Sequence, residues 1–187
     1  MELARGGGPG AVVLREATRR AGVAPSAAYR HFEDRRAMLD AVCSAAQAEL
    51  AVEMEAQLAK LPRGGDPADD ARARLRAVGT GYLRFAQAEP GLFRTAFSAS
   101  DNLRSAASTA RAGEGGLTPF QLLAAALDGL VEAGVLPRER RPGAEFLAWS
   151  AVHGLAMLLI DGPLRGLDQA EARDAGRHLL DMVERGL

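Results

Sequence analysis

The chain has a single cysteine, Cys43, which excludes an internal disulfide and suits a reducing cytoplasm. A lone cysteine of this kind is expected to act as a small buried hydrophobe. With no second cysteine and no pair of histidines at helical spacing, the sequence offers no metal site. No apolar run reaches the roughly eighteen residues that a membrane-crossing helix needs. Residues 1–5 hold no apolar stretch of the secretory kind, so a cytoplasmic protein without membrane association is expected. Enzyme signatures are missing too. Ser150, His153 and Asp161 could suggest a triad, but Ser150 and His153 share one predicted helix, and no Gly-x-Ser-x-Gly elbow is present. Gly6-Gly7-Gly8 is followed by Pro9 and lacks the lysine of a phosphate-binding loop. No catalytic residue, metal or cofactor is therefore expected. Lysine is nearly absent, with one against 22 arginines, which fits a GC-rich genome and says little about mechanism. A formal net charge of −1 excludes a uniformly basic protein that coats nucleic acid.

Charge is nevertheless unevenly placed. Residues 1–42 hold seven arginines against five acids, a local net of +2. β-Branched residues are scarce and alternating strand patterns are hard to find. Alanine-rich stretches with apolar residues three and four apart recur from end to end, so an all-α chain is expected. Its punctuation is clear. A long helix free of Gly and Pro is predicted from Asp34 to about Lys60, roughly 37 Å at 1.5 Å per residue. Pro62-Arg63-Gly64-Gly65 then breaks it. Asp66-Pro67 opens a helix to about Glu89, which Pro90-Gly91 stops. Residues 101–116 read as a loose surface connection. Thr118-Pro119-Phe120-Gln121 has the spacing of a capping box and opens a helix to about Gly134. Another helix follows Pro142-Gly143 and ends near Asp161. Asp168 with Glu171 starts the last one.

The most informative stretch is Gly22–Phe32, GVAPSAAYRHF. Residues 11–21 form an amphipathic helix that Gly22 should end in a left-handed conformation. A second helix, predicted over 25–31, follows after three or four residues. Helix, glycine-bearing turn and short helix make a helix-turn-helix, whose second helix enters the DNA major groove. Pro25, Ser26, Tyr29, Arg30, His31 and Arg35 are the candidate DNA contacts. Ser, Tyr, His and Arg all suit phosphate oxygens, and of these residue types arginine alone has the fork that reads guanine O6 and N7. Taken alone, the Tyr29–Phe32 quartet could be a plain solvated helix end. The flanking helix, turn and Asp34-Arg35 pair in register favour DNA binding.

LREATRRAGVAPSAAYRHFEDRRAML resembles the DNA-binding domain of the tetracycline repressor (TetR) family. Gly22 and Val23 match the turn, Tyr29 and Phe32 the aromatic pair, and Asp34 the cap. Arg35 stands where the family usually has a phosphate-binding lysine. Ala17-Thr18, Ala24 and Val13 depart from the pattern. Val13 and Ala24 fall where capping hydroxyls are usual, which weakens local stability by about 0.5–2 kcal/mol for each lost cap. The resemblance implies an N-terminal DNA-binding domain over residues 1–45. It implies a ligand-binding and dimerisation domain over 46–187. It also implies a ligand-responsive regulator, expected to be a repressor, that binds a palindromic double-stranded operator as a homodimer and is released by a small-molecule inducer. The family's first helix has about four turns, whereas here a glycine-rich loop follows Arg5. The expectation is that this helix is truncated, with Leu3 as its remaining apolar cover.

FLAWSAVHGLAMLLIDGPL, residues 146–164, resembles the Trp-x-x-x-His-Gly stretch of a TetR subgroup. Ligand-site candidates are Tyr82, Phe85, Phe93, Phe97, Phe120, Leu123, Leu127, Trp149, His153 and Met157, side chains that would serve equally as plain core. His153 reads as either a satisfied core histidine or a ligand contact. With few charges on these faces, the inducer is expected to be largely apolar. The adjacent stripe, Ala151, Gly154, Leu155 and Leu158, is assigned to a partner subunit. Ala172, Ala175, Leu179, Met182 and Val183 of the last helix join it in the family's four-helix bundle. The alternative from another class is a helical ligand- or partner-binding dimer that has lost DNA binding.

Overall fold

The computed structural model describes residues 1–62, 64–98 and 107–187, and among these the regular structure is entirely helical. The α-helices are α1 (Glu2–Gly7), α2 (Leu14–Ala21), α3 (Pro25–Ala28), α4 (Arg35–Leu58), α5 (Pro67–Ala88), α6 (Pro90–Ala96), α7 (Pro119–Glu132), α8 (Ala144–Ile160) and α9 (Gln169–Gly186). Short 3₁₀ turns occupy Pro9–Ala11, Thr109–Arg111 and Arg138–Arg140. Residues 101–106 of the expected surface connection, and Arg63 of the expected break, lie outside the described residues.

The helix starts follow from local chemistry. Asp34 accepts from the Ala37 amide at 2.8 Å, and Asp66 accepts from Ala68 and Asp69. Thr118 and Gln121 form a reciprocal capping box, and so do Asp168 and Glu171. Each satisfies N–H groups that a helix start otherwise leaves orphaned. The amides of Ala170 and Glu171 hold the Asp168 carboxyl below the usual carboxylate range. By contrast, Val13 and Ala24 cap α2 and α3 with no side-chain hydrogen bond.

α4 runs from the N-terminal helices into the larger bundle, packing on α5, α6 and α7. α5 is the central helix and also meets α7, α8 and α9. The core is continuous, from Ala4, Val12, Leu14 and Met38 through Leu50, Phe93 and Leu127 to Leu180. Although α1 has only six residues, it forms: Ala4 is fully buried and the helix packs on α6. Tertiary packing supplies what so short a helix lacks in isolation. Ala4 rather than Leu3 is the sealed residue, Leu3 being only half-buried.

Candidate functional site

The N-terminal site is built around one glycine. Gly22 ends α2 at φ 67°, a left-handed turn that a Cβ would strain. The chain then re-enters α3, which stops at Ala28 instead of continuing to residue 31. The backbone holds its curl a little further, with His31 N–H donating to the Ala28 carbonyl at 3.0 Å and Phe32 N–H to the same oxygen at 2.9 Å. This curl divides the side chains. Ala28 and Phe32 pack on the core, while Ser26, Tyr29, Arg30 and His31 are exposed, Tyr29 at 61%. Pro25 begins α3. The Arg30 guanidinium and the His31 ring have no hydrogen-bond or ion-pair partner among the described residues. Two nearby arginines are committed elsewhere. Arg19 and Arg20 both bond Glu16, whose carboxyl they hold down to about 2.

Arg35 departs from its expected orientation toward DNA phosphates. Its Nε donates to the Val12 carbonyl at 3.1 Å and its Nη2 to the Pro9 carbonyl at 3.2 Å. It therefore ties the 3₁₀ turn and the entry to α2 onto α4. Arg35→Lys discriminates between these roles, because an ammonium serves a phosphate but cannot reproduce a planar fork on two carbonyls. We expect Arg35→Lys to melt a few degrees below the parent in a thermal scan and to bind duplex DNA more weakly. Unchanged melting and affinity would restore the phosphate role.

The second cluster lies in the larger bundle. Tyr82 of α5, Phe93 of α6, Phe97 just beyond it and Trp149 and His153 of α8 come together as one aromatic group. Phe120 of α7 meets Trp149 at 6.1 Å. Tyr82 lies edge-on to Phe93 at 5.3 Å, and His153 stacks on Phe93 at 5.5 Å. Phe97 contacts Tyr82, Phe93, Trp149 and His153. The Trp149 indole donates to the Tyr82 hydroxyl at 3.1 Å, and that hydroxyl is 2.7 Å from His153 Nδ1. Burial pushes the Tyr82 phenol well up and the His153 imidazole down, which favours the neutral form of each. Phe85, Leu123 and Leu127 are buried core, and Phe85 makes no ring contact among the described residues. Met157 is half-buried against the same core. Phe146, unanticipated from the sequence, extends the group outward to an exposed position 6.2 Å from Phe120.

Between the two sites lies α6. At its start, Glu89 pairs with Arg5, which also reaches Glu49 at 3.1 Å. A Cβ on Gly91 would fall on the backbone oxygens of Ala4 and Arg5. At its end, the Thr95 and Ala96 carbonyls accept from Cys43 Sγ at 2.9 Å and Gln47 Nε2 at 2.7 Å, both on α4. On its flank, Arg94 grips Asp161 beyond α8 in a bidentate pair at 2.8–3.1 Å.

The outer face of α8 keeps Ala151, Gly154 and Leu158 of the expected stripe and has Leu147 in place of Leu155. Leu155 points into the chain's own core, while Leu147 at 67% and Leu158 at 42% are exposed, with Gly154 exposed and Ala151 half-exposed between them. On α9, Ala172 and Val183 are buried, Ala175 and Leu179 are half-buried and Met182 is 59% exposed. Among the described residues no helix is long and apolar enough to cross a membrane, and no cluster could hold a metal ion.

An uncapped helix-turn-helix joined by a long helix to an aromatic-cored bundle defines a two-part helical regulator. Residues 1–42 match the family model for bacterial regulatory proteins of the tetR family, and residues 75–183 match that for the tetracyclin repressor-like C-terminal domain. The chain belongs to the TetR family. It is a DNA-binding transcriptional regulator, and the regulators of this family are non-enzymatic. A protein of unknown function from Rhodococcus sp. RHA1 has a similar structure, with TM-score 0.70 and 25% identity over 95% of this chain and 85% of that one. No curated protein matches the chain.

Proposed function

We propose that the protein is a ligand-responsive repressor that binds a palindromic operator as a homodimer and releases it when a small, largely apolar inducer enters the aromatic group. The observation that carries this reading is the double attachment of α6. Its N-terminal end is clasped to α1 beside the helix-turn-helix, and it presents Phe93, with Phe97 just after it, to the aromatic group. An inducer that displaces those rings moves a helix on which the DNA-binding end rests. Differential contact with two arrangements of α6 is the source of coupling that such a switch needs. Ser26, Tyr29 and His31 supply phosphate contacts and Arg30 the base contact. The outer faces of α8 and α9 pair with a second copy, setting two recognition elements about 34 Å apart.

The test begins with the DNA flanking the protein's own gene, searched for a palindrome and titrated by fluorescence anisotropy at several fixed salt concentrations. Specific binding with a steep salt dependence is expected. Arg30→Ala should lose roughly 5- to 150-fold in discrimination at one symmetric base position, and Tyr29→Phe should weaken all sequences alike. If Arg30→Ala is neutral across an operator library while Tyr29→Phe changes base preference, the roles are reversed.

A further inference from the structure

The hydrogen bonds inside the aromatic group have a direction. The Trp149 indole N–H can only donate, so Tyr82 Oη accepts it. The phenol keeps its own proton and is buried, and a buried hydroxyl that donates to nothing forfeits a hydrogen bond. Among the described residues it has one acceptor, His153 Nδ1 at 2.7 Å. The relay therefore runs Trp149 N–H to Tyr82 O–H to His153 Nδ1. A neutral imidazole whose Nδ1 accepts must carry its proton on Nε2. Nε2 has no hydrogen-bond partner among the described residues, and the ring is only half-buried.

The imidazole sits among rings, with centre-to-centre distances of 5.5 Å to Phe93, stacked, 5.0 Å to Phe97, edge-on, and 6.2 Å to Trp149. Among the described residues, no carboxylate, lysine or arginine makes a ring contact or hydrogen bond within the group. A cation would find π-faces but would meet the positive end of the Nε2–H dipole, with no carboxylate in the group to offset its desolvation. An anion would find a donor but no counter-charge, in a place where burial already opposes a charged imidazole. A neutral acceptor faces neither penalty.

We propose that the inducer of this protein is a neutral aromatic molecule bearing a carbonyl oxygen, its ring lying against Phe97 and Trp149 and its oxygen accepting from His153 Nε2–H. This rests on the reading of the aromatic group as the ligand site. The relay makes Tyr82 and Trp149 positioning residues, since they fix which imidazole nitrogen carries the proton.

Trp149 is the one tryptophan of the chain, so its emission reports the site directly. Four probes share one phenyl group: 4-phenyl-2-butanone, butylbenzene, 3-phenylpropanoate and phenylpropyltrimethylammonium. Each is titrated into the full chain by calorimetry and by Trp149 emission excited at 295 nm. The ketone is expected to bind about tenfold tighter than butylbenzene, in line with one hydrogen bond to a site that otherwise leaves its donor unpaired. Both ions are expected to bind more weakly than the ketone. His153→Phe keeps a ring in place and should bind ketone and hydrocarbon equally. Equal binding of ketone and hydrocarbon by the parent protein, or tightest binding of either ion, overturns the proposal while leaving the site assignment standing. If no probe releases heat or moves Trp149 emission from the folded protein, the site assignment itself falls, and the proposal with it. The parent series decides the matter even if His153→Phe does not fold.

Discussion

Gly91→Ala is expected to strip the protein of most of its operator affinity and to lower its melting temperature by several degrees. Gly91 is buried in the first turn of α6, where α6 crosses α1, and the space a Cβ would take is held by the carbonyl oxygens of Ala4 and Arg5. Those are backbone atoms of a helix. They cannot swing aside as the end of a long side chain can, so α1 and α6 must separate. Overpacking of this kind costs about 1–3 kcal/mol, and each kcal/mol shifts the melting point of a chain this size by roughly 2–4 °C. The consequence reaches the DNA-binding end through α1. That helix has six residues and depends on its packing to exist, through buried Ala4 and the Arg5 pairs to Glu49 and Glu89. Once α1 lifts, the 3₁₀ turn over Pro9–Ala11 that Arg35 also holds loses its support. Operator affinity at fixed salt, measured beside a thermal scan, is the check. A Gly91→Ala protein that melts and binds like the parent would show that α6 is not clasped there.

Which parts of this were legible in the sequence depended on range. Asp34, Asp66, Thr118 with Gln121, and Asp168 with Glu171 were readable because a cap acts on amides two or three residues away. The ends of α4, α5, α7, α8 and α9 were readable to within a residue or two for the same reason. The exceptions were α2, which starts at Leu14 and not at residue 11, α6, which had no counterpart among the expected helices, and α3. Nothing in SAAYRHF marks a stop at Ala28, and the helix ends where Ala28 and Phe32 must both meet the core before extended Asp34 opens α4. Phase was harder than period. The sequence showed that α8 has two apolar stripes, but whether Leu155 or Leu147 faces outward depends on where α5, α7 and α9 sit against it. Least legible were partners far apart in the chain. Tyr82, Trp149 and His153 could each be named as site candidates, yet their relay joins residues separated by 67 and 71 positions. Arg94 and Asp161, also 67 apart, gave no local signal at all. The bonds of Arg35 were equally illegible, because the Val12 and Pro9 carbonyls are backbone groups more than twenty residues away.

Paired substitution of Leu147→Asp and Leu158→Asp is expected to convert the protein to monomers that retain their helices and lose operator binding by about a hundredfold or more. Leu147, Ala151, Gly154 and Leu158 recur at three- and four-residue spacing down one face of α8, and the two leucines are 67% and 42% exposed in the single chain. Met182 of α9 is 59% exposed, with Leu179 and Ala175 partly exposed beside it. Gly154 adds an independent argument. A Cβ there would meet nothing within 4 Å, so packing inside the chain does not require glycine at that position. In mid-helix glycine destabilises by about 1 kcal/mol relative to alanine. Close approach by a second helix from outside the chain gives such a residue a role. Buried carboxylates on this face would each lack a partner, and an uncompensated charge is among the strongest ways to break an interface. Loss of the proposed dimer would then remove the second half-site, and with it an effective concentration commonly worth 10²–10⁴ in affinity. Leu155→Asp is the internal comparison. Its side chain is buried in the chain's own core, so it should lose far-ultraviolet ellipticity and melt early instead of yielding a folded monomer. Sedimentation equilibrium and circular dichroism on the two variants separate these outcomes. A folded Leu147→Asp, Leu158→Asp protein that still sediments as a dimer would move the subunit contact off α8.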